Sequence, residues 1–188
     1  MMCGPTLCSV SMVYLYSCLT LREDYMKNNE LLTKICRAAD VDIKSMVTIF
    51  AHSDFDFTEE DAAMMLVDFD SDEEQDLYPC DFEMLEAFLN GLIIFKRGPR
   101  PDDGKPKKTV LSIPSAQTAN NAVLKKMKIA FAMTGDDLVE VFENAGVTLT
   151  NRELNPYFRA EGHKHYKRCN DQFLNAFFAG LTTKNKNA

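Results

Sequence analysis

His163-Lys164-His165, followed by Cys169, could offer a metal ion three ligands. The spacing is not that of a standard zinc site, and no fourth ligand is close in sequence. The segment reads as a basic, exposed loop between helices, and no metal is expected there. Asp68, Asp70, Asp72, Glu74 and Asp76 alternate like the start of a calcium loop. That loop needs glycine at its sixth position and glutamate at its twelfth. Here Glu73 and Pro79 hold those places, so a solvated acidic loop is expected. Cys80 and Cys169 sit just before the caps of two helices, where a helix N-terminus can lower a thiol's pKa. Lys167 and Arg168 would help at Cys169, whereas Asp81 would oppose ionisation at Cys80. Cys169 is therefore the candidate reactive thiol, although a buried structural role is the commoner one for cysteine.

Histidine occurs only at positions 52, 163 and 165. Acid–base catalysis would thus rest mostly on carboxylates, and these cluster in an acidic, solvated stretch. No Gly-rich phosphate loop, nucleophile elbow or zinc-protease motif appears. No His with Asn or Asp stands in an arrangement that suits a cysteine hydrolase. No catalytic residue and no cofactor is assigned, and a non-catalytic protein is the expectation.

These residues are positioned by a pattern that the chain repeats. Asn28-Asn29-Glu30-Leu31-Leu32 returns as Asn120-Asn121-Ala122-Val123-Leu124, a shift of 92 (120 − 28). Cys80 through Leu92 returns as Cys169 through Leu181, a shift of 89 (169 − 80). Phe50 and Thr58 match Phe142 and Thr150. The first copy therefore carries three extra residues (92 − 89), expected in its acidic middle. An internal duplication sets the architecture before any other reading.

Each copy reads as four helices. Val123, Leu124, Met127 and Ile129 fall at helical spacing after an Asn120-Asn121 start. Thr134 opens a second helix, with Asp136 and Asp137 in the first turn, where the helix dipole favours negative charge. Gly146 ends it. Thr150 and Glu153 form a capping box for a third helix, which Pro156 keeps short or bent. Asn170 or Asp171 caps a fourth, with Phe173, Leu174, Phe177, Phe178 and Leu181 as its apolar stripe. The first copy shows the same order over Leu31 to Ala39, Ile43 to Phe50, Thr58 to Val67 and Phe82 to Phe95, and Gly91 and Gly180 read as ends of the fourth helices. The expected fold class is all-α, a tandem duplication of a four-helix unit joined by a polar linker rich in Pro, Gly and Lys.

The expected organisation is an N-terminal extension over residues 1–25, an acidic repeat one over 26–96 and a linker over 97–118. A basic repeat two over 119–183 and a tail over 184–188 complete it. The extension precedes the duplicated pattern and has no lysine or arginine before Arg22, as a signal peptide would. Its apolar run is shorter than a spanning helix requires, so no membrane is expected. Met26 stands directly before the duplicated pattern, and an upstream choice of start codon is one expected origin of the extension. The six cysteines show no metal-ligand spacing, and reduced thiols in a cytoplasmic protein are the simpler reading. The net charge of −7 is unevenly spread. Residues 28–96 hold 4 basic and 17 acidic side chains, whereas residues 119–188 hold 10 basic and 7 acidic. A partner that reads charge would treat the two repeats differently.

Asn120-Asn-Ala-Val-Leu-Lys-Lys-Met-Lys-Ile-Ala and Gly162-His-Lys-His-Tyr-Lys-Arg-Cys-Asn-Asp-Gln-Phe-Leu-Asn-Ala-Phe-Phe-Ala-Gly-Leu resemble the YehS-like proteins. These are a bacterial family of small duplicated proteins defined by a domain of unknown function. Phe88-Leu-Asn-Gly-Leu-Ile-Ile-Phe-Lys-Arg-Gly is similar to the family's mid-chain signature. The resemblance covers residues 26–183. It implies a duplicated helical fold and a cytoplasmic protein, and it names no catalytic residue. Residues 1–25 and the acidic Asp68 to Asp76 stretch depart from the family pattern.

The leading expectation is a binding or regulatory protein that acts through a protein partner. The alternative is nucleic-acid binding by a helix-turn-helix-like element in repeat two, together with the linker. In such an element the second helix reads the major groove. Phe142 stands where the motif prefers a small side chain, and Pro156 disturbs the reading helix. An enzyme or redox-active thiol protein is the remaining alternative. The candidate residues for an anionic partner are Lys125, Lys126, Lys128, Arg152, Arg159, His163, Lys164, His165, Lys167 and Arg168.

Overall fold

A computed structural model describes residues 26–69, 71, 75–99, 113 and 115–187. The expected extension over 1–25 and most of the linker lie outside the described residues. Among the described residues every regular element is helical. Repeat one comprises α1 (Asn28–Ala39), α2 (Ile43–Ala51), α3 (Glu59–Met64) and α4 (Phe82–Arg97). Repeat two comprises α5 (Ala116–Ala130), α6 (Gly135–Asn144), α7 (Asn151–Leu154) and α8 (Asp171–Lys186). A 3-10 turn, Asn155–Phe158, continues α7.

The helix starts follow local chemistry. Thr58, Thr134 and Thr150 each accept the backbone N–H of the residue three further on, and Asp61, Asp137 and Glu153 reach back to the cap. Asp42, Asp81 and Asn170 cap α2, α4 and α8 through their side-chain oxygens. Gly146 takes φ +74° just beyond α6, in the left-handed region that spares glycine the usual strain. Pro156 stands in the 3-10 turn that follows the four residues of α7.

Each repeat encloses the same core. Ile49, Phe50, Phe88 and Leu92 are fully buried in repeat one. Val141, Phe142, Phe177 and Leu181 occupy the corresponding places in repeat two. The rings of Phe50 and Phe88 lie 5.3 Å apart, and those of Phe142 and Phe177 6.0 Å.

Three sequence expectations need correction. Gly91 and Gly180 are not helix ends, because both lie inside the fourth helices. A Cβ on Gly91 would collide with the carbonyl oxygen of Ile49, and one on Gly180 with that of Val141. The glycines let α4 and α8 approach the backbones of α2 and α6. Asn120 and Asn121 do not start α5, which begins a turn earlier, after Ser115. Both asparagines are buried, at 4% and 8% exposure, because their amides are used across the repeat. Finally, α3 stops at Met64 rather than Val67. The Met64 carbonyl accepts the Tyr78 N–H at 2.9 Å, and the Val67 N–H is drawn to the Thr33 hydroxyl at 2.8 Å.

The two repeats pack on each other reciprocally. The first helix of each contacts the fourth helix of the other, α1 on α8 and α4 on α5. Lys126 on α5 meets Glu86 on α4 at 3.0 Å. At the equivalent positions, Lys34 on α1 donates to Asn175 on α8 at 2.9 Å. Further ties are the Met26 N–H to Asp171 and the Asn185 amide to the Ala38 carbonyl, at 2.9 and 2.8 Å.

Candidate functional site

The segment after each third helix hangs from one asparagine of the first helix. Asn29 donates to the carbonyls of Met65 and Tyr78, at 2.8 and 2.9 Å, and accepts the Cys80 N–H at 3.1 Å. Asn121 donates to the carbonyls of Tyr157 and Lys167, at 2.8 and 3.0 Å, and accepts the Cys169 N–H at 2.9 Å. Met65 and Tyr157 are 92 apart, whereas Tyr78 and Lys167 are 89 apart. The three extra residues of repeat one therefore lie between the two carbonyls, in the acidic stretch. In repeat two the Tyr166 hydroxyl adds a fourth bond, to the Asn121 side-chain oxygen at 3.0 Å.

This clasp holds the segment from Tyr157 to Cys169 beside α4 and α5, and a hollow opens between them. Its volume is about 480 Å³. Ile93, Ala122, Ile129 and Phe158 supply apolar wall, and Asn90, Thr118 and Tyr166 supply polar groups. Lys125, Lys126 and Arg159 bring positive charge, against one acid, Glu161. A second hollow of about 390 Å³ shares Lys125, Ile129 and Phe158 and adds Arg97, Lys128 and Met133. The Lys128 ammonium lies over the Phe158 ring at 4.9 Å.

The cations differ in what they have left to offer. Lys126 is committed to Glu86 at 3.0 Å and Asn90 at 2.5 Å. Arg159 approaches the His163 ring at 3.1 Å and is exposed. Lys125 is exposed and has no acidic partner among the described residues. Of the residues expected to meet an anion, Lys125, Lys126, Lys128 and Arg159 gather at the hollows, with His163 behind Arg159. Arg152, Lys164, His165 and Arg168 are exposed and line neither hollow. Lys167 lies over the Tyr157 ring at 5.0 Å. A side-chain bond to that tyrosine raises the Lys167 pKa.

Arg97, Phe158, Ala122 and Tyr166 belong to the site although sequence reasoning missed them. The signal that would have found them is a position-by-position comparison of the two repeats. Ala122, Lys125, Phe158, Arg159 and Tyr166 stand where repeat one has Glu30, Thr33, Leu66, Val67 and Leu77. The second hollow has a counterpart in repeat one of about 380 Å³, lined by Thr33, Cys36, Arg37, Asp40, Val41 and Leu66 at matching places. The fold thus makes this depression twice and charges it differently.

Cys169 does not fit the expectation of a reactive thiol. It is 1% exposed, and burial, with Asp171 next, pushes its pKa up to about 12. Desolvation outweighs any help from Lys167 and Arg168, both of which are exposed. Cys80 and Cys36 are likewise pushed to about 12, again by burial first. The three described cysteines are free thiols buried in the cores. Among the described residues, no three His, Cys, Asp or Glu side chains are placed to hold a metal ion. No helix among them is long and apolar enough to cross a membrane.

Two reciprocally packed copies of one helical unit define a tandemly duplicated all-α protein. The chain belongs to the family described as "Protein of unknown function (DUF1456)", which it matches twice, over residues 28–98 and 120–186. It is similar to the uncharacterized protein YehS of Escherichia coli (strain K12), at 31% identity over 159 residues. That match spans 85% of this chain and 96% of the relative. No solved structure matches.

Proposed function

We propose that the protein is a non-catalytic binding protein of the cytoplasm that docks an acidic protein partner on its second repeat. The observation that carries this reading is the unequal charge of two equivalent depressions. Repeat one forms its depression with Thr33 and Cys36 at the places of Lys125 and Lys128, and has Val67 at that of Arg159 in the neighbouring hollow. The fold therefore does not require those cations, which are free to serve a partner. Exposed Ile129 and half-buried Ile93 and Phe158 lie beside them, the mixture of apolar surface and arginine that favours protein interfaces. Buried, unpaired thiols suit a reducing compartment.

The nucleic-acid reading draws on the same cations but has a weaker framework. A helix-turn-helix lays its second helix in the major groove. Here the helix after Gly146 has four α-helical residues and a 3-10 turn. The acidic repeat one also opposes a phosphate backbone.

The test is a pull-down from the native host with the wild-type chain and the K125E/R159E variant, repeated with nuclease and at high salt. A stoichiometric protein that survives nuclease and is lost with the variant supports the proposal. A catch that disappears with nuclease, together with salt-sensitive binding to DNA or RNA, overturns it in favour of nucleic acid.

A further inference from the structure

The hollow of about 480 Å³ is more than a patch of charge. Its volume lies within the roughly 300–1,000 Å³ of small-molecule sites, which favour junctions between structural units. Its walls come from both repeats, with Asn90 and Ile93 from α4 and the remainder from repeat two. We infer that this hollow is a binding site for a small organic anion, a carboxylate or phosphate carried on an apolar body.

The internal duplication acts as a control for this inference. Whatever both repeats carry at one position serves the fold, and what only one carries, where no contact of the fold uses it, is free to serve a ligand. The asparagine clasp and the buried phenylalanines are in both. Lys125 and Arg159 are in repeat two alone, replaced in repeat one by Thr33 and Val67; Tyr166, in place of Leu77, has its hydroxyl on Asn121. Thr33 is 3% exposed, and its hydroxyl is spent on the Asn29 carbonyl and the Val67 N–H, both at 2.8 Å. The repeat-one position is thus closed by its own hydrogen bonds, whereas the Lys125 ammonium stays in solvent. Ala122 completes the difference, because repeat one has the longer Glu30 at that place. The Glu30 carboxylate turns back to the Lys27 N–H at 3.3 Å, whereas Ala122 ends at the wall of the hollow.

The lining dictates the ligand. Lys125 supplies a point charge, and Arg159 a planar fork suited to two oxygens of a carboxylate or phosphate. Lys126 is already neutralised by Glu86 and adds little net attraction. Ile93, Ala122, Ile129 and Phe158 would face the body of the ligand, which an inorganic ion would leave uncovered.

This reading goes beyond the protein-partner proposal and is tested on the purified full chain alone, so either can fail without the other. Phenyl phosphate and benzoate serve as probes in titration calorimetry. Inorganic phosphate tests charge alone, and phenol tests the apolar body alone. At least one aromatic anion should bind at one site, at least tenfold tighter than inorganic phosphate or phenol, and the tighter of the two identifies the headgroup. A122Q should weaken binding at least tenfold by crowding the hollow without changing its charge. Its melting temperature should be unchanged, because glutamine is a good helix former and its side chain would enter open volume. K125A, a change on the exposed face of α5, should weaken the anions and leave phenol unaffected. The proposal falls if neither aromatic anion outbinds inorganic phosphate, or if A122Q retains full affinity.

Discussion

At the scale of single residues, the two repeats show which side chains act only on their neighbours in sequence and which act across the fold. The capping threonines are local. The Thr58 hydroxyl donates to the Asp61 carboxylate at 2.7 Å, as do Thr134 to Asp137 and Thr150 to Glu153. These bonds, with the threonine N–H, hold all three carboxyls below the ordinary carboxylate range. In the unfolded chain the same groups titrate near about 4. A depressed folded pKa contributes stability that is complete above the unfolded value and is lost as pH falls through the folded one. The T58A/T134A/T150A variant should therefore melt well below wild type at pH 7, with a smaller gap at pH 3. A gap of constant size would show that the carboxylates do not depend on the hydroxyls. These pairs were readable in the sequence because partner and cap are three residues apart. The asparagines were not, because the carbonyls that hold Asn121 are 36 and 46 residues away.

At the scale of elements, the decisive contacts are the crossings of α2 with α4 and of α6 with α8. Each crossing is closest at a glycine, where no side chain separates the helices. G91A or G180A must push a backbone carbonyl aside, which flexible side chains could not relieve. Each should cost about 2 kcal/mol or more, as overpacking of a tight core does. For a chain of this size that lowers the melting temperature by roughly 4–8 °C. Equal melting temperatures for wild type and both variants would mean that the helices separate freely. The apolar stripes that face these crossings were legible from their period. The role of the glycines was not, since a glycine near the end of a stripe reads equally well as a stop signal.

At the scale of the whole molecule, reciprocal packing turns two similar units into one body with unlike faces. The Lys126–Glu86 pair ties α5 to α4 with both side chains nearly buried, at 12% and 7% exposure. Glu86 also accepts the Ile113 N–H at 3.2 Å. The matching place in repeat two holds Asn175, so this half of the interface is an ion pair and the other a hydrogen bond from Lys34 to an amide. Breaking such a pair strands a buried charge, whereas removing both partners is often neutral. E86L should therefore cost about 3–5 kcal/mol in urea unfolding, and E86L/K126M should recover most of it. A neutral E86L would show that the pair does not hold the repeats together.

The sequence by itself determined the duplication, the helical class, the caps and the place of the three extra residues, because these depend on spacing along one chain. It also disclosed the opposite charge of the two repeats. What only the tertiary structure decided is which cations converge. Lys125 and Arg159 meet because Asn121 folds the segment after α7 back onto α5, and Ile93 joins them because α4 of the other repeat packs there. The same folding buried Cys169 and pushed its pKa up. Burial and convergence depend on contacts between distant segments, and these no periodicity records.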